Sequence, residues 1–293
     1  MKNEEDKAGD EEVEEELNES EHCGPSLTDY VPHKKRKVLE FEKTYLRYVP
    51  SAEAYEKSFM HRDVITHVAT TKYFLMFKYL FSRTDFILTA SCDGHLKFWK
   101  KLHNEGIEFV KHFRCHLGTI IQMEVNSNGT LMCTISDDKS MKIFDVINFD
   151  MINMMKLGYT PCSCAWIHNP ADSIAAVAVA EQGTSKIHVY DGRGASTPIR
   201  TLENLHSKEV IVMQYNSVFE TVVSVDKIGI VEYWTGPKHD FAFPESLLQW
   251  KYKTDTDLYE FAKLKMAPLC LSFSPDGKTF VTFAADRKLR FFK

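Results

Sequence analysis

The chain holds 293 residues, 44% of them hydrophobic and 26% charged, with 36 Lys and Arg against 41 Asp and Glu for a net charge of -5. That is ample material for a cored domain of ordinary size, and no apolar run approaches the length of a membrane-spanning helix. Residues 1–21 alone hold eleven acids and two bases, leaving 34 bases against 30 acids elsewhere, so neither part carries the charge that drives strong non-specific nucleic-acid affinity.

In chain order, residues 1–40 read as a disordered acidic tail. Its acidic run repels itself and offers too little apolar area to offset the entropy of ordering. The N-terminus is acidic where a secretory signal needs a basic region and an apolar run. Four consecutive bases follow, Lys34, Lys35, Arg36 and Lys37. Such a cluster suits the acidic groove of an import receptor and would place the chain in the nucleus. The alternative is a solvated run that balances the acidic tail. Seven scattered cysteines, an odd number mostly inside apolar stretches, fit reduced thiols better than a disulfide frame.

From Phe41 the pattern changes to short apolar or alternating runs: Phe86–Ser91, Leu131–Ser136, Ile174–Ala180, Thr221–Val225 and Thr279–Phe283. Turn signals separate them, among them Asp93–Gly94, Asn128–Gly129, Ile228–Gly229 and Asp276–Gly277. Short strands with frequent turns and little helical periodicity predict an all-β fold over 41–293. A short helix is expected within Asp257–Lys265.

A motif recurs along this region. Each copy ends on an aromatic, Trp99, Phe144, Tyr190, Trp234 and Phe292, at intervals of 45, 46, 44 and 58 residues. The spacing resembles that of WD repeats, one per four-stranded propeller blade. The expected fold is therefore a WD40-type β-propeller with about five recognisable blades. His61, Ser91, Asp93 and Trp99 form one set of repeat residues, and His116, Ser136, Asp138 and Phe144 a second. The fourth copy has His206, Asp226 and Trp234, with Asp226 two positions farther from its aromatic. A longer turn and a less ideal network are expected there. The third has Thr184 where the aspartate would stand before Tyr190, and the fifth ends Asp286 to Phe292.

An aspartate in a tight turn can accept backbone amides and orient a histidine from the loop entering the blade. These sets are therefore read as structural, not as Ser-His-Asp catalysis. No catalytic residue, cofactor or metal site is expected. Cys162, Cys164 and His168 lack a fourth ligand and read as core. Gly192–Arg193–Gly194 reads as a turn.

Residues 73–83, an aromatic stretch, mark an insert, because removing them shortens the His61–Trp99 interval of 38 to near the 28 of the second and fourth copies. A divergent or mis-spliced insert is favoured over a partner-binding patch or a lengthened strand pair. About five blades, offset from the sequence repeat by one outer strand, predict a truncated, unclosed arc whose last blade lacks its outer strand.

Four segments carry a closer likeness: Met60–His67, Val146–Met154, Tyr233–Pro237 and Tyr252–Lys263. Through them the chain resembles the nuclear, spliceosome-associated WD-repeat cyclophilins. The resemblance implies a seven-bladed propeller followed by a cyclophilin domain with peptidyl-prolyl isomerase activity. The sequence stops at Lys293 before any cyclophilin-like segment, so no catalytic residue carries over. The expected role is a noncatalytic protein-interaction scaffold of nuclear pre-mRNA splicing complexes. It would dock proteins or peptides, spliceosomal components foremost, with RNA contact secondary and no membrane. The alternative is the targeting region of a peptidyl-prolyl cis-trans isomerase.

Overall fold

The computed structural model describes residues 40–48, 59–71, 86–102, 106–242 and 252–293. The acidic run, the basic cluster at 34–37 and the insert expected at 73–83 lie outside the described residues. Two compact units divide the chain, Met1–Ala52 and Glu53–Lys293. In the first, Glu42–Tyr48 forms a helix, α1, where strand-type patterning was expected. Glu42 in its first turn and Arg47 in its last complement the helix dipole, and none of its residues is buried.

The second unit is built from antiparallel sheets in which consecutive strands pair in chain order. Blade one contains β1 (Ile65–Thr70), β2 (Phe86–Ser91), β3 (His95–Leu102) and β4 (Gly106–Arg114). Blade two contains β5 (Ile120–Val125), β6 (Leu131–Ser136), β7 (Ser140–Asp145) and β8 (Asp150–Lys156). Blade three contains β9 (Pro161–Trp166), β10 (Ala176–Glu181), β11 (Ile187–Asp191) and β12 (Arg200–Leu202). Blade four shows β13 (Val210–Asn216), β14 (Thr221–Asp226) and β15 (Val231–Thr235) among the described residues. Blade five shows β16 (Pro268–Phe273), β17 (Phe280–Ala284) and β18 (Leu289–Phe292), preceded by the short helix α2 (Tyr259–Leu264).

Burial follows each strand's place in its blade. The second strand is covered on both faces: every residue of β6 is buried, and β10 is the small apolar run Ala-Val-Ala-Val-Ala. This is why these segments read as continuous apolar runs instead of alternating ones. The outer strands β4 and β8 are largely exposed. A register shift recurs near one end of the β1, β5, β9, β13 and β16 pairings. Such bulges sharpen local twist and bend the strand where the chain enters a blade.

Four apolar clusters join the blades face to face. Phe98 and Leu88 of blade one meet Met132 and Phe144 of blade two. Ile143 and Cys133 meet Trp166 and Val177 of blade three, and Val189 and Ala178 meet Val222 and Trp234 of blade four. Val223 meets Leu271 and Phe280 of blade five. Burying a side chain the size of Phe98 contributes about 2–3 kcal/mol. The innermost strands make contact in sequence, β1 with β5, β5 with β9, β9 with β13 and β13 with β16. No comparable contact links β16 to β1 among the described residues. Among the described residues the series of five blades is unclosed, and its last sheet ends on the third strand, in line with the expectation from the repeat offset.

Candidate functional site

The recurring histidines sit on the loops that lead into the blades, and each meets a hydroxyl on the second strand. In blade two, Thr134 Oγ1 lies 2.8 Å from His116 Nε2, while His116 Nδ1 lies 3.0 Å from Asp138 Oδ2. The tautomer that satisfies both has Nδ1–H donating to the carboxylate and Nε2 accepting from the threonine. Ser140 Oγ donates to Asp138 Oδ1 at 2.6 Å, and the Leu117 amide donates to Oδ2 at 3.1 Å. Burial depresses the His116 imidazole despite the neighbouring Asp138. Burial alone would raise the Asp138 carboxyl, but bonds from Ser140 and Leu117 hold it below its ordinary value.

Blade one builds the same relay with one more link. Trp99 Nε1 donates to Thr89 Oγ1 at 2.8 Å, and Thr89 lies 2.8 Å from His61 Nε2. His61 Nδ1 then lies 2.8 Å from Ser91 Oγ, which donates to Asp93. In blade four, Ser224 Oγ accepts from Trp234 Nε1 at 3.0 Å and lies 2.7 Å from His206 Nε2. Asp226 stands at the end of β14, where blades one and two carry Ser91 and Ser136. Its Oδ2 is 3.6 Å from His206 Nδ1, and its Oδ1 accepts the Ile228 and Ile230 amides.

Blades three and five depart from this scheme. Tyr190 meets Tyr159, hydroxyl to hydroxyl at 3.0 Å, and Tyr159 stacks on His188. Thr184 accepts the Lys186 amide at 3.3 Å. In blade five Asp286 takes a bidentate Arg290, at 2.7 and 3.2 Å, in place of a histidine. Phe292 stacks on Phe280 with centroids 5.0 Å apart. Thr282 lies across from Arg290 with its Oγ1 buried and without a hydrogen-bond partner among the described residues.

The hydrogen bonds of Ser136 go elsewhere than His116: it accepts the Asp138 amide at 3.2 Å and donates to Asp137 at 3.3 Å. Of the hydroxyls that bond the histidines, the sequence reading placed Ser91 with His61 and missed Thr89, Thr134 and Ser224. It also missed Lys97 and Lys142, two residues before the aromatic. Lys97 Nζ donates to the carbonyls of Phe59 and Met60 at 2.5 and 2.7 Å, and Lys142 Nζ donates to Cys115 O. Both lysines clamp the loop that carries the histidine.

The consequence of this fastening is a fixed rim. Gly94 (φ +77°) turns β2 into β3, and its carbonyl accepts the Cys115 and His116 amides at 3.1 Å each. A Cβ at Gly94 would collide with the His116 carbonyl. The same rim presents Leu117, 99% exposed, on the amide that Asp138 holds, and Val64, 69% exposed, whose carbonyl accepts the Cys92 amide. Two exposed apolar side chains on rigidly held backbone offer a docking edge, because little ordering entropy remains to be lost there on binding.

The opposite end has a small polar recess of about 40 Å³, lined by Asn126, Thr130, His168, Asp172 and Arg193 among others. His168 Nδ1 donates to Ala176 O at 3.3 Å, and burial lowers the ring's affinity for a proton. Cys164 is fully buried with its sulfur 3.7 Å from that of Cys133, and burial pushes the Cys162 thiol up to about 12. All six described cysteines are free, and among the described residues no group of three His, Cys, Asp or Glu could hold a metal ion. No described helix is long and apolar enough to cross a membrane.

The model of the "WD domain, G-beta repeat" family matches residues 107–145 and 265–293. The first match spans β4 and the first three strands of blade two, so the sequence repeat is offset from the blade by one outer strand. "Peptidylprolyl isomerase domain and WD repeat-containing protein 1" of Mus musculus is 54% identical over 286 residues, 98% of this chain and 42% of that protein. Its Homo sapiens counterpart is 54% identical over 278 residues, 95% of this chain and 41% of that protein. "Peptidyl-prolyl cis-trans isomerase 9" of Schizosaccharomyces pombe is 31% identical over 260 residues, 88% of this chain and 40% of that protein. The chain thus spans about two fifths of the length of these relatives. The repeat match, the five blades and these relatives make it a WD40-repeat chain, similar to the WD-repeat portion of peptidylprolyl isomerase domain and WD repeat-containing protein 1.

Proposed function

We propose that this WD-repeat scaffold docks proteins of nuclear pre-mRNA splicing complexes through the rim that carries Val64 and Leu117. The observation that carries the docking half is Leu117, an apolar side chain left 99% exposed on an amide held by the buried Asp138 network. A leucine held outside the core contributes nothing to stability there, and covering it with a partner would contribute about 2 kcal/mol. The splicing setting rests on the likeness to the nuclear, spliceosome-associated WD-repeat cyclophilins. Nuclear residence follows from that setting and from the basic cluster Lys34–Lys37.

The test is affinity purification of the tagged chain from nuclear extract with quantitative mass spectrometry, beside Leu117→Asp and Val64→Asp. Splicing proteins should be enriched over a tag-only control, and their recovery should fall at least fivefold in the variants at unchanged thermal stability. Equal recovery in the variants, or none with the parent chain, contradicts the proposal. A second reading rests on the relatives' names: the segment is the targeting region of a peptidyl-prolyl cis-trans isomerase. Isomerase turnover above background from this chain alone would contradict that division of labour.

A further inference from the structure

We propose that the outer half of blade one, on the face turned away from blade two, is a binding platform for single-stranded nucleic acid. The near-neutral total charge conceals a strong asymmetry. The described residues of blade one and its entry loop, Phe59–Arg114, carry six Lys and Arg against three acids. Residues 115–242, spanning blades two to four, carry nine against fourteen. Residues 252–293 carry eight against five, so a polyanion is attracted to the two ends of the blade series and repelled from its middle, and the aromatic residues below single out blade one.

Register defines the face. Arg114 lies opposite His95, His112 opposite Lys97, Phe109 opposite Trp99 and Ile107 opposite Lys101. Directly paired residues share a face, so Arg114, His112, Phe109, Trp99 and Lys101 lie together. Arg114, His112 and Lys101 are exposed. The Lys97 ammonium is committed to the carbonyls of Phe59 and Met60, and this holds the Phe59 ring parallel to Phe109 at 4.3 Å and 7°. Phe59 remains 45% exposed, while Trp99 supports Phe109 edge-on at 5.5 Å.

An aromatic shelf flanked by cations along one strand matches what single-stranded nucleic acid requires: π-faces for bases and positive charge for the backbone. An acidic peptide would use the charges and leave the shelf idle, so the nucleic acid is the favoured occupant. The platform does not depend on the blade's inner half staying uncovered. In blade two, Met154 of the outer strand is 52% exposed although that blade packs against its neighbour.

The test is fluorescence anisotropy of the full chain with labelled twelve-residue oligouridylate and oligodeoxythymidylate. Two to three phosphate contacts predict that log K falls with log salt at a slope of about -2. Lys101→Glu with Arg114→Glu should weaken binding at least tenfold, and Phe59→Ala by about tenfold, at unchanged denaturation midpoints. Replacing Lys34, Lys35, Arg36 and Lys37 with alanine should change affinity less than twofold. Equal affinity for both probes is expected, since stacking and phosphate contact do not read the sugar. Unchanged binding in the Lys101/Arg114 variant, loss of binding with the tail variant, or competition by polyglutamate as strong as by RNA would each overturn the proposal.

Discussion

At the residue scale, one hydroxyl position decides whether a blade's fastener closes. Thr89, Thr134 and Ser224 each bridge toward a histidine, whereas Thr282 occupies the same place with no partner for its buried Oγ1 among the described residues. Thr134→Val strands His116 Nε2 in the interior and should cost about 1–3 kcal/mol. Thr282→Val removes a hydroxyl that is already unsatisfied, so it should be neutral or stabilising. Urea denaturation of the two variants checks the contrast, and equal losses would contradict it. Glu124 on β5 behaves differently, because burial raises its carboxyl to about 7. A folded-state value above the ordinary 4.5 means the native state holds the proton more tightly. Its stability contribution is complete below 4.5 and is lost as pH rises through 7. Glu124→Gln should therefore raise the urea midpoint at pH 8, by about 1–2 kcal/mol in stability, with the difference vanishing near pH 4. A midpoint lowered at pH 8 would contradict the assignment.

At the element scale, the third strand of blades one, two, three and five holds the incoming segment, and the residue used depends on what enters. Lys97 and Lys142 clamp loop carbonyls in blades one and two. Blade five is entered by α2, and Arg290 binds both Asp286 and Glu260, 3.0 Å away on that helix, while lying over the Phe261 ring at 5.4 Å. Arg290→Ala should cost about 1–2 kcal/mol and speed amide exchange in α2. Arg290→Lys should not restore protection, since an ammonium cannot reproduce the planar fork. Full rescue by lysine would show that charge alone suffices. This layer was hidden in the sequence for a physical reason. A lysine two residues before an aromatic reads as an exposed strand residue, and only the carbonyls of another segment make it a buried clamp. A hydroxyl stands ten residues before the aromatic in four of five repeats, Thr89, Thr134, Ser224 and Thr282, but the sequence reading passed over this regularity. In the Tyr190 repeat the tenth residue back is Ala180, and an extra turn residue places Val179, eleven back, at the equivalent position opposite His188.

At the scale of the whole molecule, the pattern of turns and terminal aromatics was enough to specify blades, because each blade is a local meander whose pairs are neighbours in sequence. Contacts between blades were less legible, since any apolar face can cover another, and the rim residues Leu117 and Val64 carry no repeat signature. Helix α1 was misread as part of the strand region because seven residues with three aromatic or leucine side chains, Tyr45, Leu46 and Tyr48, mimic an apolar run. In the assembled unit, each blade rests on its own polar fastener and on apolar contact with its neighbours only. Stability should then be a sum of blade and interface terms, as in other repeat architectures. Hydrogen exchange by mass spectrometry on the full chain, with and without Thr134→Val, tests this most directly. The account predicts faster exchange in β5–β8, attenuated in blades one and three and absent from β16–β18. Uniform acceleration through all five sheets would contradict it.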